Sequence, residues 1–344
     1  PVATIVVGTA LSVIPVIRLM SIFGRKKVFL SSCIYSILLI GLCIFSISEK
    51  LFFLFSFASF CLGATVATMM QFRFAAIESV NQDQRASATA VVLLGGLISA
   101  FLGTEIATIG KSILDTEFVG SFLLLALLFI IAFVLMFFFE PAVKFKEQTE
   151  KSKRPLLSII QQGSFVVAVS AATTGYVVMS FIMTATPVSM HVMDGHSLHH
   201  TKLVLQSHVI AMFLPSLFTA YIVKYIGLTK MMLLGILILF ISVFIAFMSH
   251  ALTHYWWSLV LLGLGWNFLF IGGTNLLPQA YNENEKFKVQ SINDFLVFGF
   301  QALAALSAGW FVFNFSWEVV LLSVLPLLLI QFSVLLWWFL KKTN

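Results

Sequence analysis

Asn81-Gln82-Asp83-Gln84-Arg85 is a polar island between two apolar runs, and Asn282-Glu283-Asn284-Glu285-Lys286 repeats its pattern 201 residues later. Both read Asn-x-[Asp/Asn]-x-[Arg/Lys]. Working outward, Gly24 in the basic loop Arg18–Lys27 has a counterpart in Gly227 of the loop Lys224–Lys230, at an offset of 203. The apolar run ending near Phe139 is matched by one ending near Leu340, again 201 apart. Three landmarks that agree within two residues define a parallel internal repeat. Such a repeat is the mark of two helical halves related by an axis along a membrane normal.

Composition points the same way. Hydrophobic residues make up 60% of the chain and charged residues 10%, with a mean hydropathy of +1.03. A soluble domain carries about 25% charged residues, so the natural solvent of this chain is lipid. Apolar runs such as Val28–Ser48, Phe118–Phe139 and Val319–Leu340 approach the roughly 20 residues a helix needs to cross a bilayer. They do not alternate as the strands of a β-barrel would. The expected fold is therefore all-α, with eleven helices near 1–17, 28–48, 51–76, 86–109, 118–139, 162–191, 203–223, 229–249, 255–279, 289–312 and 318–340.

The basic residues orient these helices. With the loop Arg18–Lys27 in the cytoplasm, alternation puts 17 of the 20 Lys and Arg residues on that side, leaving only Lys50, Lys111 and Lys202 outside. That asymmetry predicts a cytoplasmic C-terminus and a multi-pass protein of a bacterial inner membrane. It also accounts for the net charge of +6, so no nucleic-acid partner is expected; a binding surface would need clustered basic residues on a soluble face. The repeat maps position 1 onto about position 203, leaving 162–191 without a partner. This predicts a further helix before Pro1, twelve in the intact protein. The expected domains are an N-terminal bundle over 1–139, a cytoplasmic linker over 140–161 and a C-terminal bundle over 162–344. A short surface helix is expected near Leu156–Gln161.

A two-bundle protein with Gly24-Arg25-Lys26 after its second helix resembles the major facilitator superfamily. Members usually carry G-x-x-x-D-R-x-G-R-[RK] in that loop. Here Gly24, Arg25 and Lys26 match, whereas Ile17, Ser21 and Ile22 stand where Gly, Asp and Arg are usual. Strings such as Gln71-Phe72-Arg73-Phe74, Met212-Phe213-Leu214-Pro215-Ser216, Gly265-Trp266-Asn267-Phe268 and Asn293-Asp294-Phe295 are similar to a branch of bacterial facilitators mostly unassigned as to substrate. The resemblance implies a secondary transporter working by alternating access, symport or antiport, acting as a monomer on a small organic solute, with the proton as coupling ion. Gly24, Arg25 and Lys26 would then form the loop motif that takes part in the conformational change. The alternatives are proton-driven efflux of lipophilic compounds, or a non-transporting sensor or degraded transporter. In the fifth helix, Gly95, Gly96 and Gly103 lie where antiporters show a Gly-Pro signature, but Thr104 replaces the proline.

Polar side chains inside hydrocarbon are costly without partners and mark candidate sites. Thr173, Tyr176, Ser180 and Thr184 recur at steps of three and four on one helix face; they line a cavity or bond neighbouring helices. Trp266, Asn267, Phe270 and Thr274 cluster on another helix, and a ring, an amide and an indole together suit a planar or aromatic solute. Arg73 is placed to bind an anionic group or to snorkel to the interface. Asp294, with Gln301 seven residues on, is a proton-coupling candidate or a structural carboxylate latched to a basic residue. Glu105 and His208 are further proton-coupling candidates, with a gate salt bridge and a packed histidine as the rival readings. His191, His196, His199 and His200 crowd one loop beside Asp194, but no metal ligand set is expected there. Cys33, Cys43 and Cys61 have no metal-ligand spacing either. No P-loop and no nucleophile–base pair with recognisable spacing is present, so neither an ATP-driven pump nor an enzyme is expected, and no cofactor.

Overall fold

The computed structural model describes residues 2–140 and 154–343. Among the described residues the chain is helical throughout, with no strand. Thirteen α-helices follow one another among the described residues: α1 Val2–Phe23, α2 Arg25–Ser48, α3 Phe52–Met69, α4 Phe72–Glu78, α5 Arg85–Lys111, α6 Val119–Phe137, α7 Leu156–Ile160, α8 Gly163–Pro187, α9 Leu198–Phe213, α10 Ser216–Met248, α11 Leu252–Leu276, α12 Lys286–Asn314 and α13 Trp317–Thr343. Among the described residues, ten helical stretches are long and apolar enough to cross a membrane. Their outward faces carry side chains such as Leu127, Ile130, Val134 and Phe244, about half exposed, which only a lipid solvent tolerates in such number.

Two expected loops shrink to single residues. The basic stretch 18–27 is helical apart from Gly24, and Gly227 is the one non-helical residue inside α10. Gly24 has φ 82° and ψ 156°, and Gly227 has φ 79° and ψ 164°. Only glycine populates that region without strain. The chain therefore reverses at one residue instead of through a polar loop, and the charged neighbours stay on helices. The near-identical angles at positions paired by the repeat show it in the backbone itself.

Other expected spans are interrupted. The stretch 51–76 breaks at Met70 and Gln71 between α3 and α4, and the stretch 203–223 starts earlier, at Leu198, and breaks at Leu214 and Pro215. Pro215 has no N–H to give to the preceding turn. After Pro187, α8 continues as a π-turn over Val188–Met193. The expected short helix near Leu156–Gln161 is α7. Most of the linker, 141–153, lies outside the described residues.

Two compact units emerge. The first contains the chain up to Asn81, Ile98 through α6, and Glu283–Gly299; the second contains Gln82–Leu97, α7 through Asn282, and Phe300 onward. In the first, α1 packs on α3 and α2 on α6, with Gly8 and Gly63 bringing the backbones of α1 and α3 into direct contact. In the second, α11 is the central helix and touches α8, α9 and α10. Gly263 sits against the α9 backbone, Gly265 against Gly235 and Leu239 of α10, and Gly273 against Ala168 of α8. Small residues permit that close approach where no hydrophobic force between helices exists in lipid.

Candidate functional site

The polar interior of the first unit is a stripe on α12 facing α2 and α4. Lys286, Gln290, Asp294 and Phe298 recur every four residues and share one helix face. Gln71, at the break before α4, and Arg73 and Glu78 of α4 meet that stripe. Arg25, the first residue of α2, grips Glu78 with Nε at 3.1 Å from Oε2 and Nη2 at 2.6 Å from Oε1. The same Nη2 donates to Gln290 Oε1 at 2.8 Å. Gln290 Nε2 returns a bond to Glu78 at 3.2 Å, and Lys286 Nζ lies 3.4 Å from the same carboxylate.

One turn deeper, Arg73 pairs with Asp294, and both are buried. Gln71 Nε2 donates to Asp294 Oδ2 at 2.6 Å and Asn293 Nδ2 to Oδ1 at 2.8 Å. Gln71 Oε1 also accepts from Arg25 Nη1 at 3.4 Å, so one amide joins the two ion pairs. The Arg73 guanidinium lies 4.6 Å from the Phe74 ring and 5.9 Å from that of Phe298. Two charges this deep are tolerable only because hydrogen bonds from the amides satisfy the carboxylate as well. Arg73 is thus committed to Asp294 in this arrangement. Lys26 is half-exposed and lies 5.9 Å from the Phe137 ring.

The second unit concentrates rings instead. Trp266 and Phe270, four apart on α11, stack at 5.1 Å with an 18° tilt. Tyr176 of α8 meets both edge-on, at 5.2 Å and 5.0 Å. Phe213, at the end of α9, closes the cluster at 5.9 Å from Trp266. Gly96 of α5 lies against the Phe213 ring, where any Cβ would clash; a glycine there is explained by packing.

Asn267 divides its amide. Its Nδ2 donates to Met212 O at 2.7 Å and to Ser216 Oγ at 2.9 Å. That holds the broken end of α9, where Pro215 disrupts the ladder, so the nitrogen serves the backbone. Asn267 Oδ1, Trp266 Nε1 and Thr173 Oγ1 are buried atoms that find no protein partner. His208 is buried, and its Nδ1–H donates to Leu259 O at 2.7 Å. In the neutral ring this leaves Nε2 as a lone-pair acceptor, and it too has no partner.

The remaining sequence-derived candidates scatter. Ser180 and Thr274 are buried, Gln301 is half-buried, and Thr184 and Glu105 are exposed. Glu105 is therefore not enclosed as an intramembrane acid would be. A cavity of about 750 Å³ in the second unit is lined by Arg85, Tyr221, Lys224, Asn275 and Gln279 and contains none of the aromatic cluster. Sequence reasoning did not pick out Gln290 and took Lys286 only as part of the repeat, although a four-residue step from Asp294 leads to both. Nor did it assign a role to Phe213, whose position follows only from the α9 break.

A chain of apolar helices with buried charge on one unit and buried rings on the other is a multi-pass integral membrane protein. The Major Facilitator Superfamily model matches residues 2–295, and the chain belongs to that family, whose members are transporters. It is 34% identical over 335 residues to the riboflavin transporter RfnT of Brucella anthropi, covering 95% of this chain and 83% of that protein. It is 30% identical over 299 residues to the uncharacterized MFS-type transporter YddS of Bacillus subtilis, covering 80% of this chain and 67% of that one. Among solved structures, the human organic anion transporter MFSD10 superposes with a TM-score of 0.74 at 12% identity, covering 97% of this chain and 82% of that one. The Escherichia coli fucose:proton symporter FucP gives 0.71 at 12% identity, covering 97% and 88%. These structures share the fold.

Proposed function

We propose that this transporter moves a planar heteroaromatic solute of the flavin class by alternating access, coupled to protons. The observation that carries the reading is the ring cluster of the second unit. Trp266, Phe270, Tyr176 and Phe213 offer stacking and edge contacts to a flat ring system. Beside them, the indole N–H of Trp266 and the amide oxygen of Asn267 are a donor and an acceptor still to be satisfied. A flavin presents both kinds of group on its ring edge. Buried polar atoms left unpaired cost free energy, and a solute that pairs them gains it, which is how such a site selects for hydrogen-bonding rings over plain hydrocarbons. The 34% identity to a riboflavin transporter supports the same class.

Proton coupling falls to Asp294. Its carboxylate is buried and neutralised by Arg73. When that pair opens during the cycle, a carboxylate in hydrocarbon takes up a proton in preference to standing charged and alone. Arg25 with Glu78, at the loop motif, is the second ionic tie to be made and broken. The basic-residue asymmetry supports a cytoplasmic C-terminus in an inner membrane. Quenching of riboflavin fluorescence on titration with purified protein tests the solute class. Saturable quenching is expected, weakened about tenfold in Trp266→Phe, the change expected when roughly 1.4 kcal/mol of pairing is lost. Equal quenching by protein and by empty detergent micelles would contradict the assignment.

A further inference from the structure

Away from the ring cluster, the second unit gathers a set of titratable side chains at one end. His250 lies in the three-residue link between α10 and α11. Its Nδ1 is 2.9 Å from both Oδ1 and Oδ2 of Asp194, the residue that closes the π-turn after α8. Its Nε2 is 2.8 Å from Oε1 of Glu318, in the first turn of α13. Ionised carboxylates only accept hydrogen bonds, so the ring must donate from both nitrogens to satisfy both contacts. Only the imidazolium does that. In the neutral ring one nitrogen would turn its lone pair toward a carboxylate.

The surroundings fix the partners. From α11, the Tyr255 hydroxyl donates to Asp194 Oδ2 at 2.7 Å and lies 2.5 Å from Ser189 Oγ of the π-turn. Trp317, beside Glu318, packs on the Tyr255 ring at 5.4 Å. The other nearby histidines are occupied elsewhere: His196 Nε2–H donates to the backbone oxygen of His250 at 2.9 Å, and His191 Nδ1–H to that of His196 at 2.7 Å. His254 sits beside its neighbour Thr253. Among the described residues, the groups facing the ring are thus two carboxylates and the Tyr255 ring at 6.3 Å, with no second cation. Among the described residues, no group of three or more His, Cys, Asp and Glu could hold a metal ion.

We propose that His250 is a proton-operated clasp: charged, it ties the end of α8 to the start of α13 through Asp194 and Glu318, and its deprotonation releases that tie. The hydrogen bond from Asp194 raises its pKa above the ordinary histidine value; partial burial opposes, and Glu318 adds to the rise. The sign follows from the direction. A group whose folded pKa is raised contributes its full tie below the unfolded value of about 6.5, and that contribution is lost as pH rises through the folded value. Tyr255 keeps its own bond to Asp194 after release, so the π-turn stays anchored to α11 while the start of α13 loses its ionic tie and keeps the packing of Trp317 on Tyr255.

Val192 and Phe315 are exposed positions flanking the two tied segments. Spin labels there, in the intact protein with Cys33, Cys43 and Cys61 replaced by alanine, read the distance between them in detergent micelles. At pH 5.5 a narrow distance distribution is expected, broadening by pH 8.5 with a midpoint above about 6.5. His250→Arg, which stays charged at both values, is expected to remain narrow at both. His250→Gln is expected to be broad at both. A wild-type distribution that does not change with pH overturns the proposal. So does a His250→Gln variant that still switches, or a His250→Arg variant that broadens at high pH.

Discussion

In the first unit, α12 carries Lys286, Gln290 and Asp294 to meet Arg25, Arg73 and Glu78, so that its interior is held by ion pairs bridged through Gln71. The second unit instead holds a cluster of Tyr176, Trp266, Phe270 and Phe213, with Gly96 of α5 against the Phe213 ring and Gly175 of α8 beside Trp266. Ionic ties are strong only in one geometry, so they make good two-state elements. Ring clusters tolerate small displacements and offer a surface to a solute. In the proposed reading the ion pairs switch and the rings receive the solute, so the two roles fall in different units.

The difference predicts unequal responses to substitution. Asp294→Ala leaves the Arg73 guanidinium buried without its carboxylate and is expected to cost about 3–5 kcal/mol, seen as loss of monodisperse protein on heating in detergent. Replacing both partners, Arg73→Met with Asp294→Leu, is expected to recover most of that loss. A double variant no better than Asp294→Ala would show that the pair is not the element holding α12. Gly227→Ala is expected to cost about 1–3 kcal/mol. Nothing lies within 4 Å of the added Cβ, so the whole effect is backbone strain at φ 79°. Gly24→Ala is expected to cost the same, and a difference between them would separate the two halves of the repeat. Smallest is Trp266→Phe, which keeps an aromatic ring for the stack on Phe270 and removes an indole N–H that has no protein partner. Thermal stability is expected to change by about 1 kcal/mol or less, while solute affinity falls.

The backbone was far more legible than the side-chain partnerships. Apolar runs and the Asn-x-[Asp/Asn]-x-[Arg/Lys] repeat give the helices and the two halves, because period and length are local properties. Gly24 and Gly227 are visible as repeat landmarks, but that each replaces an entire loop is not, since charged residues around them read as a turn. Arg73 and Asp294 are each conspicuous, yet 221 positions separate them and no local pattern records their pairing. Asn267 is conspicuous as a buried amide, but only the α9 break shows that its nitrogen serves Met212 O and leaves the oxygen alone for a solute. The cluster of Asp194, His250 and Glu318 is invisible in sequence because its members lie at the end of the π-turn, in the α10–α11 link and in the first turn of α13, with no local pattern joining them.

The segregation is tested most directly by riboflavin flux into liposomes containing the intact protein, with and without an imposed proton gradient, comparing wild type, Trp266→Phe and Asp294→Asn. The account predicts saturable flux in wild type, a raised half-saturation concentration with gradient response intact in Trp266→Phe, and solute exchange without gradient-driven accumulation in Asp294→Asn. Gradient-driven accumulation that persists in Asp294→Asn, or an unchanged half-saturation concentration in Trp266→Phe, would contradict it.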